Sequence, residues 1–89
     1  DDNTAFVTQT GADNTADLGQ DGDDNFNETT QIGDNNSVVA DQYGDNNNAN
    51  LGQTGDGNSI TVAQGIMGTD QGNFNTASLT QMGDDNVFD

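Results

Sequence analysis

The sequence predicts an all-β protein, a β-solenoid in which two strands and two turns make one coil of 22 residues. Three observations predict it. Glutamine recurs every eleven residues over most of the chain, asparagine recurs six residues before these glutamines, and apolar residues lie two apart between them. A spacing of two places side chains on one face of a strand, and a fixed period of this kind indicates a repeat protein.

The repeat divides the chain into units that each begin at an asparagine. The first five units cover residues 3–13, 14–24, 25–35, 36–46 and 47–57. A sixth unit begins at Asn58 and is followed by an insertion at residues 65–74, which replaces a four-residue connection with ten residues. A seventh unit covers residues 75–85, and a partial eighth covers 86–89. We therefore expect one repeat domain, residues 1–89, with seven full units.

Within each unit, the residues from Asn to Gln are expected to form a strand about 20 Å long. In the second unit Asn14, Ala16, Leu18 and Gln20 share one parity and face inwards, while the polar residues between them face outwards. A glycine two residues after Gln, with Asp nearby, is typical of a turn that needs positive φ. The predicted turn glycines are Gly11, Gly22, Gly33, Gly44, Gly55 and Gly83.

A period of eleven is also compatible with a right-handed helical supercoil. Glycine in every turn position and frequent Asn, Asp and Thr argue against a helix, because these residues are weak helix formers. The two-residue spacing of the apolar side chains decides in favour of strands.

The expected interior is thin, because the second place after Asn in one strand faces the fourth place in the other. Small side chains then meet large ones, as in Ala5 opposite Leu18. Asn27 and Thr29 replace the apolar pair in the third unit. We expect the second coil, which contains them, to be the weakest.

Amide ladders explain why Asn and Gln are repeated. Coils that stack at 4.7–4.9 Å place identical side chains above one another, and a primary amide offers both donors and acceptors to its copies. The predicted ladder residues are Asn3, Gln9, Asn14, Gln20, Asn25, Gln31, Asn36, Gln42, Asn47, Gln53, Asn58, Gln64, Asn75 and Gln81. Such a stack leaves open strand edges at its two ends, so we expect copies to polymerise end to end.

Composition excludes several classes of function. The chain has a formal charge of −16, no Lys, Arg or His, and 28% hydrophobic residues. Nucleic acid and anionic membranes are therefore unsuitable partners, and no apolar run is long enough for membrane insertion. Because the usual bases and nucleophiles His, Cys and Lys are missing, we expect no enzyme activity. The N-terminal residues do not resemble a signal peptide, so a secreted protein would be in its processed form.

Aspartates follow the turn glycines and allow two interpretations. The residues concerned are Asp23, Asp34, Asp45, Asp56 and Asp84. They form either a solvated acidic surface or a weak calcium site between neighbouring turns, since carboxylates and carbonyls suit this ion. No other cofactor is expected.

Two groups of apolar residues fall outside the predicted interior. Phe6 and Phe26 share an outer face in successive coils, and Ile66, Met67 and Phe74 lie together in the insertion. They are either ordinary exposed side chains or a lateral contact between fibres.

The repeat closely resembles that of the curlin family, the curli subunits of bacterial extracellular amyloid fibres in biofilms. The segments NTADLGQDGDDN (14–25) and NANLGQTGDGN (48–58) carry the resemblance, which covers residues 3–86 and all the ladder positions given above. It implies a secreted structural subunit of a biofilm matrix fibre. It also implies export through an outer-membrane pore and growth from a nucleator subunit.

Two other functions remain open at this point. One is a calcium-binding β-roll module of a secreted adhesin, which would fold on adding calcium and stay monomeric. The other is an ice-binding solenoid, which needs a flat threonine array, whereas Thr4, Thr15 and Thr76 are sparse and the outer faces look acidic.

Overall fold

A computed structural model describes residues 2–65 and 74–89, and in it these residues form two parallel four-stranded sheets. The strands are β1 (Thr4–Thr10), β2 (Thr15–Asp21), β3 (Phe26–Ile32), β4 (Ser37–Tyr43), β5 (Asn48–Thr54), β6 (Ser59–Gln64), β7 (Thr76–Met82) and β8 (Val87–Phe88). One sheet has the order β1-β3-β5-β7 and is called the odd sheet. The other, β2-β4-β6-β8, is called the even sheet. The predicted all-β solenoid with two strands in each coil is confirmed.

Neighbouring strands pair in parallel and in register with the repeat. Gln9 pairs with Gln31 and Gln31 with Gln53, an offset of 22 residues. Across the insertion the offset becomes 28, as between Gln53 and Gln81. The additional residues therefore enter between β6 and β7 without shifting any ladder. Of the predicted apolar group in the insertion, Phe74 is exposed, whereas Ile66 and Met67 lie outside the described residues.

Most of the described turns use two residues with positive φ, one more than the sequence predicted. The turn glycines have φ between 93° and 122°, and the residue just before each Asn has φ between 55° and 68°. That second position holds Asp13, Asp24, Asn35, Asn46, Gly57 or Asp85, the residue types that tolerate this region best. The exception is Phe74, which adopts φ 61° before Asn75.

Glycine at the first turn position is required by stacking as well as by φ. A Cβ added to Gly33 would overlap the carbonyl oxygen of Gly55 in the next coil. Each turn thus lies directly on the one below, and a side chain at this position would not leave room for that spacing between successive turns.

The core lies in the two middle coils. Val38, Ala40, Ala49, Leu51 and Ile60 are buried there. Val62, in β6 of the same coils, and Leu18 and Leu79, in the coils on either side, are partly buried and pack against this cluster. Within residues 2–65 and 74–89 there is no helix long and apolar enough to cross a membrane.

Candidate functional site

The glutamines form two continuous side-chain ladders, one in each sheet. In the odd sheet Gln9 Nε2 donates to Gln31 Oε1 at 2.8 Å, and Gln31 Nε2 donates to Gln53 Oε1 at 2.9 Å. The second N–H of Gln31 reaches across the coil to the carbonyl oxygen of Thr15, also at 2.9 Å. Each Gln–Gln bond of this sheet is donated towards the C-terminal coil, so the ladder has a direction.

The asparagines lie in register as well, but they mostly bond to backbone. Asn25 Oδ1 accepts the backbone N–H of Asn47 at 3.0 Å, and Asn25 Nδ2 donates to the carbonyl oxygen of Gly44 at 2.7 Å. Each such Asn therefore joins the strand above to a turn. Bonding between the amides themselves, which the sequence argument proposed for all of them, occurs where Asn58, Asn75 and Asn86 donate to the Asn below.

The aspartates after the turn glycines form two further ladders, one with Asp34, Asp56 and Asp84 at one edge and one with Asp23 and Asp45 at the other. Asp34 Oδ1 accepts the backbone N–H of Ala12 at 2.7 Å, and Asp56 Oδ1 accepts that of Asp34 at 2.8 Å. Asp84 and Asp45 accept from the coil below in the same way. Sequence reasoning missed this role, although the fixed position of Asp after Gly was visible.

These carboxylates do not converge on a common point. In the part of the chain that the structure describes, no group of three acidic side chains could hold a metal ion. The calcium site therefore remains a hypothesis, and the carboxylates of Asp34, Asp45, Asp56 and Asp84 have an observed structural role without it.

The second coil contains a buried polar pair. Asn27 and Thr29 are both 0% exposed, and Thr29 Oγ1 donates to Asn27 Oδ1 at 2.9 Å. Asn27 Nδ2 is the one buried side-chain polar atom without a hydrogen-bond partner among the described residues. That this coil is the weakest stays a prediction, and the unpaired amide gives it a physical reason, because burying an unpaired amide costs free energy.

The outermost strands β1 and β7 are more open than the strands between them. Val7 in β1 is 47% exposed, although it occupies an inward position, and Gln9 is exposed beside it. In β7 the inward side chains of Ala77, Leu79 and Gln81 are only half-buried. Ladder groups and apolar side chains are therefore presented at both ends of the stack.

Family comparison agrees with this geometry. The model of the curlin associated repeat matches residues 1–33, 22–55 and 33–65. The chain belongs to the curlin repeat family. Curlin repeat proteins are structural, non-enzymatic components of extracellular curli fibres, and at that level the chain is a curli-type structural protein. Searches among curated proteins and among solved structures gave no significant match.

Proposed function

We propose that this curlin repeat protein is the subunit of an amyloid-like fibre in a biofilm matrix, and that copies stack end to end. In this arrangement β7 and β8 of one copy lie against β1 and β2 of the next. The observation that carries the proposal is the directional amide ladder together with the open inner positions of β1 and β7.

The ladder geometry supports this orientation. Within the chain, Gln Nε2 donates towards the C-terminal coil and Asn Oδ1 accepts a backbone N–H from it. Gln81 Nε2 of one copy would then donate to Gln9 Oε1 of the next, and Asn86 Oδ1 would accept the backbone N–H of Asn14. The junction repeats bonds already present between coils, so it needs no new recognition element.

Burial of the terminal positions supplies the driving force. Val7 of one copy would cover the half-buried Leu79 of another, in the same column that places Thr29 between Val7 and Leu51. Removing apolar surface from water stabilises an association by about 25 cal/mol of free energy for each Å² buried. Backbone hydrogen bonds between β7 of one copy and β1 of the next would also pair the free N–H and C=O groups along these two strand edges.

An inward charge on β1 tests the stacking. We expect Ala5→Lys to fold, since Ala5 is exposed in a single copy, and to remain monomeric because stacking would bury an unpaired ammonium group. The matched control is Thr15→Lys, on the outer face of β2 in the same coil. Circular dichroism reports folding and electron microscopy reports fibres. Fibres of Ala5→Lys like those of the control, or a wild-type chain that stays monomeric, would contradict the proposal.

Secretion and nucleation belong to the same proposal. We expect an outer-membrane pore to export the chain and a nucleator subunit to start the fibre at the cell surface, as the family membership suggests. Deleting such a pore in the producing cell should abolish surface fibres while the protein accumulates inside. Unchanged surface fibres would argue for a different export route.

The calcium-module and ice-binding alternatives gain no support from the geometry. The Asp carboxylates accept backbone N–H bonds from the coil below, so chelators are expected to leave fibre growth unchanged. The sequence argument that both outer faces are acidic is wrong for the odd sheet. Its threonine columns are nevertheless interrupted, for example where Phe26 lies beside Thr4 and Ile32 beside Thr10.

A further inference from the structure

We infer that the outer face of the odd sheet is a lateral docking surface for a second copy, through which two fibres pair. This inference rests on the proposed end-to-end assembly and adds a second, perpendicular contact to it. It follows from the uneven distribution of charge over the two outer faces.

The outer face of the odd sheet carries almost no charge. Its outward residues are Thr4, Phe6, Thr8, Thr10, Phe26, Glu28, Thr30, Ile32, Asn48, Asn50, Gly52, Thr54, Thr76, Ser78, Thr80 and Met82. Glu28 is its one acidic residue, and Glu28 Oε2 accepts a hydrogen bond from Asn50 Nδ2 at 3.1 Å. This face is thus nearly neutral in a protein of formal charge −16.

The outer face of the even sheet is different. Asp17, Asp21 and Asp41 project from β2 and β4 on that side. Two copies that approached through the even sheet would bring these carboxylates together in a desolvated gap, which is unfavourable. The odd sheet is the face through which two such acidic molecules can approach most closely.

The odd sheet also presents apolar side chains. Phe6 is 58% exposed, and its ring lies 5.9 Å from that of Phe26 in the next coil. Ile32 and Met82 are exposed in the column at the other end of the strands. Threonine, serine and asparagine occupy most positions between these groups, and such short side chains allow two sheets to pack face to face at about 10 Å.

The size of the face explains why the occupant should be another fibre. Seven-residue strands in four rungs present a projected area of about 440 Å² in one copy. A stable protein interface buries about 800 Å² on each partner. One copy is therefore too small to pair laterally, whereas two or more stacked copies exceed this area and pair through many repeated contacts.

Charge at the rims makes the pairing sensitive to salt. Aspartates in the turns at both edges of each sheet, such as Asp34 and Asp45, would approach those of the facing copy. Their separation is comparable with the Debye length of about 10 Å at 0.1 M salt. We expect single fibres at low ionic strength and paired fibres as salt increases.

Two matched substitutions test which face is used. Thr54→Glu adds a charge to the odd face in β5, and Thr61→Glu adds the same charge to the even face in β6; both side chains are exposed. In about 0.15 M NaCl, electron microscopy should show that Thr54→Glu lowers the fraction of paired fibres by about tenfold or more. Thr61→Glu should pair like the wild type, and both variants should keep the wild-type axial rise. Equal pairing in both variants, or loss in Thr61→Glu alone, would overturn the inference.

Glu28→Gln provides an independent test, because it removes the single acidic group of the odd face. We expect it to increase pairing at low salt, and unchanged pairing would count against the inference even if Thr54→Glu failed to polymerise. A wild-type chain that forms fibres which stay single at every salt concentration overturns the lateral contact alone. A wild-type chain that forms no fibres overturns the proposed function instead.

Discussion

The middle coils and the outermost strands carry the same sequence motif in different surroundings. Val38 in β4 is 0% exposed, whereas Val7 in β1 is 47% exposed at an inward position. Gln42 is likewise buried and Gln9 exposed. A side chain of this repeat is therefore buried by the coils above and below it. A terminal coil therefore becomes equivalent to a middle one only when another copy covers it.

The largest difference between the two regions should come from one substitution made in both. Gln42→Ala removes the acceptor of Gln20 Nε2, the donor to Gln64 Oε1 and the bond from Gln42 Nε2 to the carbonyl oxygen of Phe26. We expect a loss of about 3 kcal/mol in the free energy of unfolding. Gln9→Ala removes one bond, to Gln31, and should cost less than about 1 kcal/mol in a single copy.

Urea unfolding of the monomeric protein measures both values. Fibre growth should slow for both variants, because Gln9 joins the ladder at the junction between copies. Equal losses of monomer stability would contradict the dependence of burial on neighbouring coils.

The turn glycines also differ in their surroundings between the middle coils and the end of the stack. Gly33→Ala places a methyl group against the carbonyl oxygen of Gly55 at φ 117°, and we expect it to lower stability by about 2 kcal/mol or more. In the last described turn, a Cβ on Gly83 would meet only Asn86 Nδ2, at 3.5 Å. Gly83→Ala should therefore cost less in the monomer, since only its φ of 100° is unfavourable, yet block addition of the next copy. Thermal unfolding and seeded elongation separate the two effects, and normal elongation of Gly83→Ala would argue against stacked turns at the junction.

Within the middle coils, we expect a double and a single substitution of the polar pair in β3 to change the free energy of unfolding in opposite directions. The double substitution Asn27→Ala with Thr29→Val removes the unpaired Asn27 Nδ2 and should stabilise the chain by about 1–2 kcal/mol. Thr29→Val alone leaves Asn27 Oδ1 without its donor and should destabilise it by about 1 kcal/mol. Denaturant unfolding of both variants measures these changes in the free energy of unfolding. A double variant less stable than the wild type would mean that the polar pair supports the coil.

The smallest expected effect concerns the turn before Asn75. Phe74 has φ 61°, where the corresponding residues elsewhere are Asp, Asn or Gly. We expect Phe74→Asn to raise stability by about 1 kcal/mol, because asparagine tolerates this conformation better than a bulky aromatic residue. The control is Asp85→Asn, which exchanges two tolerant residues and should change the melting temperature little. A lower melting temperature for Phe74→Asn would show that the Phe74 ring stabilises the turn.

The sequence predicted the solenoid, the ladder positions and the inward faces because all three depend on spacing alone. It placed Gln9 directly below Gln31 without any knowledge of side-chain contacts. Hydrogen-bond direction was less accessible. Asn25 bonds mainly to backbone, and Asp34 accepts the N–H of Ala12. Both contacts depend on side-chain orientation, which the spacing of residues does not determine. The neutral odd face follows from the alternation of residues within the odd strands, but the net charge of the whole chain does not reveal it.

The axial rise of fibres grown from the 89-residue chain measures directly whether copies stack coil on coil. β8 pairs with β6, and Phe88 lies beside Ile60, so the fourth coil is occupied on both sides. Copies stacked in the same orientation should then rise by about four strand spacings, roughly 19 Å, in helical reconstruction by electron cryomicroscopy. A rise of about 17 Å would mean that β1 of the next copy takes the place beside β6 and that copies alternate by half a turn. A rise unrelated to either value would contradict end-to-end stacking of the coils.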